Sequence, residues 1–282
     1  MSPRREREGR RSDPPRRPQR PEPRPRTSDT LRAGGRYVWG INPVLEALRA
    51  KPEQIEALFV VEGQLQRGPA AEIFSRAREA GVRTVRVARE RLATMAEGGV
   101  HQGVVAEVRA YEYVDLGDLL ERAKDSERPP LIVLLDGVQD PHNFGAIIRS
   151  AYALGAHGVV IPKDRSVQVT GTVAKASAGA IEHIGIARVT NLARALEQLK
   201  EAGLWIAAAD PEGDATLFTA QLDGPLALVV GAEGAGVRRN VLQHCDFRVR
   251  IPMVGEVASL NASVSAAILL YEVARQRAGR AP

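Results

Sequence analysis

Three short segments combine glycine with polar side chains that could position a cofactor or a substrate. They are residues 136–150, 231–236 and 251–263, and each lies at the C-terminal end of a predicted strand. Open parallel sheets bind their ligands at the carboxyl ends of their strands. The three segments therefore predict a ligand site at that edge of a sheet.

Other common chemistries are disfavoured by the same residues. Residues 231–236 have the spacing G-x-x-G-x-G and lie late in their domain, whereas dinucleotide-binding loops have G-x-G-x-x-G at the first strand. The histidines are scattered, and His244, Cys245 and Asp246 are neighbours that do not converge on one ion, so no metal site is predicted. A hydrolase nucleophile of the G-x-S-x-G type is also missing.

The elements that must position these segments alternate between strands and helices. Residues 131–135 form a continuous apolar run, which is typical of a buried parallel strand. Further strands are predicted over 158–161, 184–189, 204–209, 226–230 and 247–251, and helices over 143–154, 173–180, 192–202 and 261–276. This alternation predicts an α/β domain over residues 131–278, with a parallel sheet covered by helices on both faces.

A smaller α/β module is predicted over residues 36–110. Its first helix, 42–50, has Asn42 as the expected N-cap and Pro43 in the first turn. The other elements are predicted helices over 69–80 and 89–95 and predicted strands over 55–61, 82–87 and 104–108. The loop 101–103 (His-Gln-Gly) could contact RNA or form a plain turn. Residues 111–130, which are charged and contain a Pro pair, are expected to be a linker with a possible short helix.

The basic charge is concentrated at the N-terminus. Residues 1–36 contain twelve arginines and five acidic residues, a balance of +7, which leaves −2 for the rest of a chain whose net charge is +5. We therefore expect residues 1–35 to be a disordered basic tail, either an arm that attracts RNA phosphates or a passive extension. No apolar run is long enough for a membrane span, and the single cysteine fits a reducing cytoplasm.

Taken together, the three segments resemble the SpoU (TrmH-like) family of RNA 2′-O-ribose methyltransferases, a branch of the knotted SPOUT class. The family motif N-x-G-x-x-x-R is matched from Asn143 to Arg149. The motif G-x-E-x-x-G is matched from Gly231 to Gly236, and I-P-M-x-G-x-x-x-S-L-N-x-S is matched over 251–263. The module at 36–110 resembles the L30e-like substrate-binding domain of such enzymes, through Gly40, Val44, Leu48 and residues 101–103.

The resemblance implies a fold and an activity that periodicity alone does not. The parallel sheet would end in a C-terminal trefoil knot, a rare exception to the rule of unthreaded connections. The activity would be transfer of a methyl group from S-adenosylmethionine to the ribose 2′-hydroxyl of a guanosine in 23S ribosomal RNA, by a cytoplasmic homodimer. Two alternatives stay open, a tRNA 2′-O-ribose methyltransferase and a non-catalytic RNA-binding relative.

The resemblance also implies roles for individual residues. Gly231, Ile251 and Leu260 would line the cofactor pocket, although simple core packing is the alternative for Ile251 and Leu260. Glycine at position 231 would let the main chain approach the adenosine closely.

The expected catalytic residues come from all three motifs. Arg149 would stabilise the developing alkoxide and grip the target phosphate as a fixed cation, because arginine effectively never loses its proton in proteins. Asn143 would orient the ribose or Arg149, unless it only caps its helix. Glu233 would hold Arg149 or a substrate group, and Ser259 and Asn261 would fix the loop and the nucleotide. Asn261 could also start the last helix.

Overall fold

The fold contains two β-sheets with helices packed around them. The computed structural model describes residues 35–61, 69–256 and 259–279. A four-stranded sheet is built from the N-terminal part and a seven-stranded, fully parallel sheet from the C-terminal part. The predicted α/β fold with a parallel sheet is confirmed.

The N-terminal sheet is mixed, with the strand order β1-β4-β2-β3. Strand β4 pairs antiparallel with β1 and β2, while β2 and β3 are parallel. The elements, in chain order, are β1 (Arg36–Trp39), α1 (Ile41–Ala50), β2 (Ile55–Val61), α2 (Pro69–Glu79), β3 (Thr84–Val87), α3 (Arg89–Met95) and β4 (Val104–Val108). Strand β1 was not predicted from the sequence, because its four residues are too few for a periodic pattern.

The start of α1 differs from the prediction. Gly40, with a φ of +92°, occupies the N-cap position, so the expected cap by Asn42 is wrong. The side chain of Gln102 takes over part of the capping, because its Oε1 accepts a hydrogen bond of 3.0 Å from the amide of Ile41. In the same loop, Nδ1 of the buried His101 accepts from the amide of Gly103 at 3.1 Å. The loop 101–103 is thus a turn that supports α1.

The C-terminal sheet has the strand order β7-β6-β5-β10-β8-β11-β9. Its central strands β5 and β10 are buried along their whole length. Its strands are β5 (Leu131–Asp136), β6 (Gly158–Pro162), β7 (Gly185–Val189), β8 (Trp205–Ala209), β9 (Ala215–Thr216), β10 (Leu226–Gly231) and β11 (Phe247–Arg250). Its helices are α4 (Leu116–Lys124), α5 (Pro141–Ala153), α6 (Gly171–Ala176), α7 (Leu192–Glu201), α8 (Arg239–Leu242) and α9 (Ala262–Ala278).

The segment expected to be a linker is folded onto the second sheet. Helix α4 is capped by Asp115, whose side chain accepts from the amide of Gly117 at 2.8 Å. Its leucines, Leu116, Leu119 and Leu120, are buried in an apolar cluster with strands of the parallel sheet. The abundance of charge in this segment reflects the exposed face of an amphipathic helix.

The two sheets meet at a tightly packed interface. Arg36 on β1 forms a buried ion pair of 2.6 Å with Glu182, in a one-turn 3-10 helix that follows α6. Gly171 at the start of α6 lies against the main chain of β1, because a Cβ there would be 2.0 Å from the carbonyl oxygen of Tyr37. A single apolar cluster runs from the first sheet into the second.

Some sequence predictions fall outside what the structure describes. The predicted basic tail, apart from Gly35, lies outside the described residues, as do Val257 and Ala258 of the third motif. The trefoil knot stays a prediction. Within the described ranges, no helix is both long and apolar enough to cross a membrane.

Candidate active site

The first motif opens helix α5, which starts two residues earlier than predicted. Asp140 is the N-cap, and its carboxylate accepts from the amides of His142 at 3.2 Å and Asn143 at 3.1 Å. Asn143 is therefore not the cap, and its side chain is available for other contacts. The motif glycine, Gly145, has a packing role, since a Cβ there would be 2.4 Å from the Cβ of Ala176 on α6.

One polar side chain from each motif meets in a small cluster at the carboxyl edge of the sheet. Nδ2 of Asn261 donates to Oδ1 of Asn143 at 2.9 Å and to Oε2 of Glu233 at 3.5 Å. Nδ2 of Asn143 donates to the same Glu233 oxygen at 3.4 Å. We call Asn143, Glu233 and Asn261 the motif cluster. These residues lie 90 and 28 positions apart in the chain, so only the fold brings them together.

Asn261 also starts the last helix. Its Oδ1 accepts from the amides of Ser263 at 2.9 Å and Val264 at 3.4 Å, which makes it the N-cap of α9. The hydroxyl of Ser263 donates to the same oxygen at 2.6 Å. The capping role and the cluster role are compatible, because they use opposite atoms of one amide.

The second motif forms a tight loop after strand β10. The amides of Ala232 and Gly236 each donate to the other residue's carbonyl oxygen, at 3.2 and 2.9 Å. Gly234 and Gly236 have positive φ angles of 76° and 64°, a region that favours glycine. A Cβ on Gly231 would be 2.0 Å from the carbonyl carbon of Gly236, so the loop can fold back only over a glycine.

A cavity of about 320 Å³ opens beside this loop, a volume suited to a small-molecule ligand. The expected cofactor residues Gly231, Ile251 and Leu260 all line it, as does Ser259. Glu233 of the motif cluster is also on its wall. The cavity and the cluster are thus neighbouring parts of one site.

Arg149 is not hydrogen-bonded to the motif cluster. It is exposed on α5, and the described residues give it no hydrogen-bond or ion-pair partner. No hydrogen bond or ion pair joins it to Glu233, whose Oε2 accepts from the two asparagines of the cluster, so the expected contact is absent among the described residues. Arg149 is therefore free to meet a ligand that arrives from solution.

Sequence reasoning missed the contact between Asp136 and Arg238. Asp136, the last residue of β5, is 1% exposed and forms an ion pair of 2.6 Å with Arg238. The two residues are 102 positions apart and belong to no common motif spacing. The only sequence signal was an acidic residue that ends an entirely apolar strand.

The cavity has the chemistry that S-adenosylmethionine requires. Its walls combine apolar side chains such as Val230 and Leu242 with the carboxyl groups of Asp210, Glu212 and Glu233. Apolar walls suit an adenosine group, and carboxylates suit a ligand that carries a sulfonium and an ammonium. The residues present therefore fit this cofactor.

Alternative chemistries find less support near the site. Burial raises the pKa of the Cys245 thiol to about 12, so this cysteine is not a thiolate nucleophile at neutral pH. Among the described residues, no three His, Cys, Asp or Glu side chains are grouped so that they could hold a metal ion.

Two family models together match most of the chain. Residues 130–271 match the SpoU rRNA methylase family, and residues 37–114 match the substrate-binding domain of RNA 2′-O ribose methyltransferases. The fold and the site therefore define an RNA 2′-O-ribose methyltransferase, and its cofactor is S-adenosylmethionine. The chain belongs to the SpoU rRNA methylase family.

Individual relatives are similar over most of their length. YacO of Bacillus subtilis, assigned to the TrmH family of tRNA/rRNA methyltransferases, is 47% identical over 86% of this chain and 96% of its own. The 23S rRNA (guanosine-2′-O-)-methyltransferase RlmB of Escherichia coli is 42% identical over 85% of this chain and 98% of its own. The crystal structure of the SpoU methyltransferase AviRb from Streptomyces viridochromogenes with AdoMet has a TM-score of 0.72 at 28% identity, covering 87% of this chain and 91% of that chain.

Proposed function

We propose that this protein methylates the ribose 2′-hydroxyl of a guanosine in 23S ribosomal RNA, and that it does so in the bacterial cytoplasm. The observation that carries the proposal is the convergence of Asn143, Glu233 and Asn261 beside the cavity lined by Gly231, Ile251 and Leu260. Relatives from several bacteria that are named as the 23S rRNA (guanosine-2′-O-)-methyltransferase RlmB are 42–44% identical to this chain. This similarity supports ribosomal RNA rather than tRNA as the substrate of this protein. A retained motif cluster argues against a non-catalytic RNA-binding relative.

The reaction needs little more than positioning and charge stabilisation. When bound, S-adenosylmethionine supplies a methyl group on a sulfonium, so no covalent enzyme intermediate is required. Gly231, Ile251 and Leu260 would hold the cofactor, which would supply the methyl carbon to the 2′-oxygen while its sulfur kept the electron pair of the broken bond, and the hydroxyl proton would leave to solvent or to a carboxylate. Holding the hydroxyl in line with the methyl group provides much of the rate enhancement.

Each site residue has a part in this scheme. The Glu233 carboxylate accepts a hydrogen bond from the ribose hydroxyl, and the amides of Asn143 and Asn261 hold that carboxylate in place. Ser259 fixes the nucleotide at the rim of the cavity. Arg149 stays protonated, contacts the target phosphate and stabilises negative charge on the attacking oxygen.

The N-terminal and C-terminal domains have different roles in the reaction. Residues 36–110, the L30e-like domain, select the RNA, and residues 131–278 carry the chemistry. The chain after residue 36 has a balance of −2, so recognition depends on shape and local contacts more than on overall charge.

A second copy of the chain covers part of helix α9. Val264 and Tyr271 are seven residues apart, on one face of the helix, and are 45% and 65% exposed. The helix is apolar on its opposite face as well, a pattern typical of a helix buried on two sides. We therefore propose a homodimer that includes this face, which light scattering on the purified protein would test.

The connection from β11 to α9 supports the trefoil knot. Strand β11 is three places from β5 in the sheet, yet α9 packs against α5, which follows β5. Ile251, Met253, Ser259 and Leu260 of the connection line the same cavity as the loop 231–236, which is the proximity that a threaded segment would require.

The function is tested by mapping 2′-O-methylation in vitro on 23S ribosomal RNA and on unmodified tRNA. We expect 2′-O-methylguanosine in the ribosomal RNA only. Methylation of tRNA alone would replace the ribosomal assignment with the tRNA alternative, and cofactor binding without transfer to either RNA would favour a non-catalytic relative.

A further inference from the structure

The carboxylate of Asp136 is held by a single residue from another part of the chain. The side chain of Asp136 is fully buried, and its Oδ1 accepts a hydrogen bond from Nε of Arg238 at 2.7 Å and forms an ion-pair contact of 2.6 Å with Nη2. Its Oδ2 accepts from the backbone amide of Arg238 at 2.8 Å. A buried carboxylate is stable only when it is paired and hydrogen-bonded. Among the described residues, Arg238 supplies both hydrogen bonds and the counter-charge.

Arg238 directly follows the loop that forms one wall of the cofactor cavity. Every residue from Gly231 to Val237 lines that cavity. At its first end the loop continues strand β10, whereas its tip at residues 233–235 is exposed. The second end is fixed by Asp136, and Gly137, the next residue, also approaches the loop, with its Cβ position 3.5 Å from the Cβ of Ala232.

We infer that Asp136 and Arg238 are positioning residues that set the width of the cofactor cavity and the place of Glu233 within it. This inference rests on the proposed function and extends it to two residues outside the three motifs. The guanidinium contacts one carboxylate oxygen of Asp136 and the backbone amide contacts the other, so together they fix both the distance and the orientation of the loop end relative to β5. The last strand residue before the first motif thereby controls the conformation of the second motif.

The test compares S-adenosylmethionine binding by the full-length protein and by its Asp136→Asn variant. The substitution keeps the side-chain shape but removes the charge and turns one acceptor oxygen into a donor nitrogen. The ion pair with Arg238 and one of the two hydrogen bonds are therefore lost. We expect the Kd for S-adenosylmethionine to rise about tenfold, in the range of couplings between contacting residues. In methylation assays, KM for the cofactor should rise more than kcat falls, because Asn143 and Asn261 still hold Glu233 when the loop end is loosened.

Asp246→Asn is a matched control. Asp246 also binds one cation and one backbone amide, with Lys200 at 2.6 Å and Ile206 at 2.8 Å, but it does not line the cavity. Its substitution should leave the Kd unchanged. An equal rise in both variants would overturn the inference, because the effect would then come from general loosening of the fold.

A second substitution decides the matter if Asp136→Asn fails to fold. Arg238→Lys keeps the positive charge and the backbone bond but removes the two-point contact, and it should also weaken cofactor binding. A folded Arg238→Lys protein with the wild-type Kd and KM would overturn the inference. Failure of the wild-type protein to bind S-adenosylmethionine would instead contradict the proposed function, so the two failures are distinguishable.

Discussion

At the scale of single residues, Asn261 performs two tasks with the two ends of one amide. Its oxygen caps α9 through the amides of Ser263 and Val264, while its nitrogen donates to Asn143 and Glu233. The two tasks can be separated by replacing only the nitrogen, because an aspartate keeps the capping oxygen.

We predict that Asn261→Asp inactivates the enzyme without unfolding it. The aspartate can still cap α9, but it loses both donated hydrogen bonds and places a second carboxylate about 3.5 Å from Glu233. The rate of methyl transfer should fall by about 10²-fold, while the melting temperature changes little. Asn261→Ala should lower both, because it also removes the cap. A fully active Asn261→Asp protein would show that the cluster is only structural.

The exposed cation on α5 gives a second prediction at this scale. Arg149→Ala should reduce transfer by about 10²-fold or more, because it removes a charge that stabilises the transition state. Cofactor binding, measured by calorimetry, should stay near wild type, since Arg149 does not line the cavity. Arg149→Lys should also fail if two-point contact with phosphate matters.

Arg122→Ala provides the comparison, because Arg122 is another exposed arginine on a helix of the same domain. It should keep normal turnover. Equal turnover in the Arg149 and Arg122 variants would identify Arg149 as an ordinary surface residue.

At the scale of elements, the loop after β10 is shaped by its own backbone. Position 231 has no room for a side chain because the loop returns across it, and the Cβ position is 2.3 Å from the amide nitrogen of Val237 as well as 2.0 Å from the carbonyl carbon of Gly236. These neighbours are main-chain atoms, which cannot rotate away as a side chain could.

We therefore predict that Gly231→Ala displaces the loop and abolishes cofactor binding. Overpacking of this kind costs about 1–3 kcal/mol, so the protein should remain folded but melt at a lower temperature. Gly224→Ala serves as the control, because nothing lies within 4 Å of its Cβ position. Calorimetry that finds normal cofactor binding by Gly231→Ala would contradict this prediction, because it would show that the loop accommodates the added methyl group.

The sequence predicted most of the elements but not their exact contacts. Long apolar runs such as 131–135 identified their strands, because burial on both faces leaves a strong pattern. The short elements β1, β9 and α8 carry too few residues for such a pattern. The motif residues were found from spacing and family resemblance, whereas the bond between Asp136 and Arg238 depends on packing that no local pattern encodes.

At the scale of the whole molecule, a buried ion pair joins the two sheets. Arg36 and Glu182 are 5% and 2% exposed, and the ring of Tyr111 packs 5.6 Å from the guanidinium of Arg36. The hydroxyl of Tyr111 donates to the carbonyl oxygen of Ile184 at 3.2 Å, two residues beyond Glu182. The N-terminal sheet is thereby held in a fixed position on the C-terminal sheet.

We predict that Glu182→Gln strongly destabilises the protein. Arg36 would remain buried without a counter-charge, and breaking a buried pair in this way costs about 3–5 kcal/mol. Urea unfolding should show this loss, whereas Glu72→Gln, which alters exposed ion pairs with Arg49 and Arg76, should have a small effect. Similar losses of unfolding free energy in both variants would mean that the buried ion pair stabilises the protein no more than the exposed ones do.

The wide separation of the motif cluster along the chain has a consequence for biosynthesis. Asn143 is translated 118 residues before Asn261, and Glu233 is made between them. A nascent chain that ends with β11 already contains the parallel strands but lacks Leu260 in the cavity and the Asn261 amide that joins the cluster. An enzyme that modifies ribosomal RNA therefore gains its site only late in its own translation, and cannot act on the ribosome that is making it before that point.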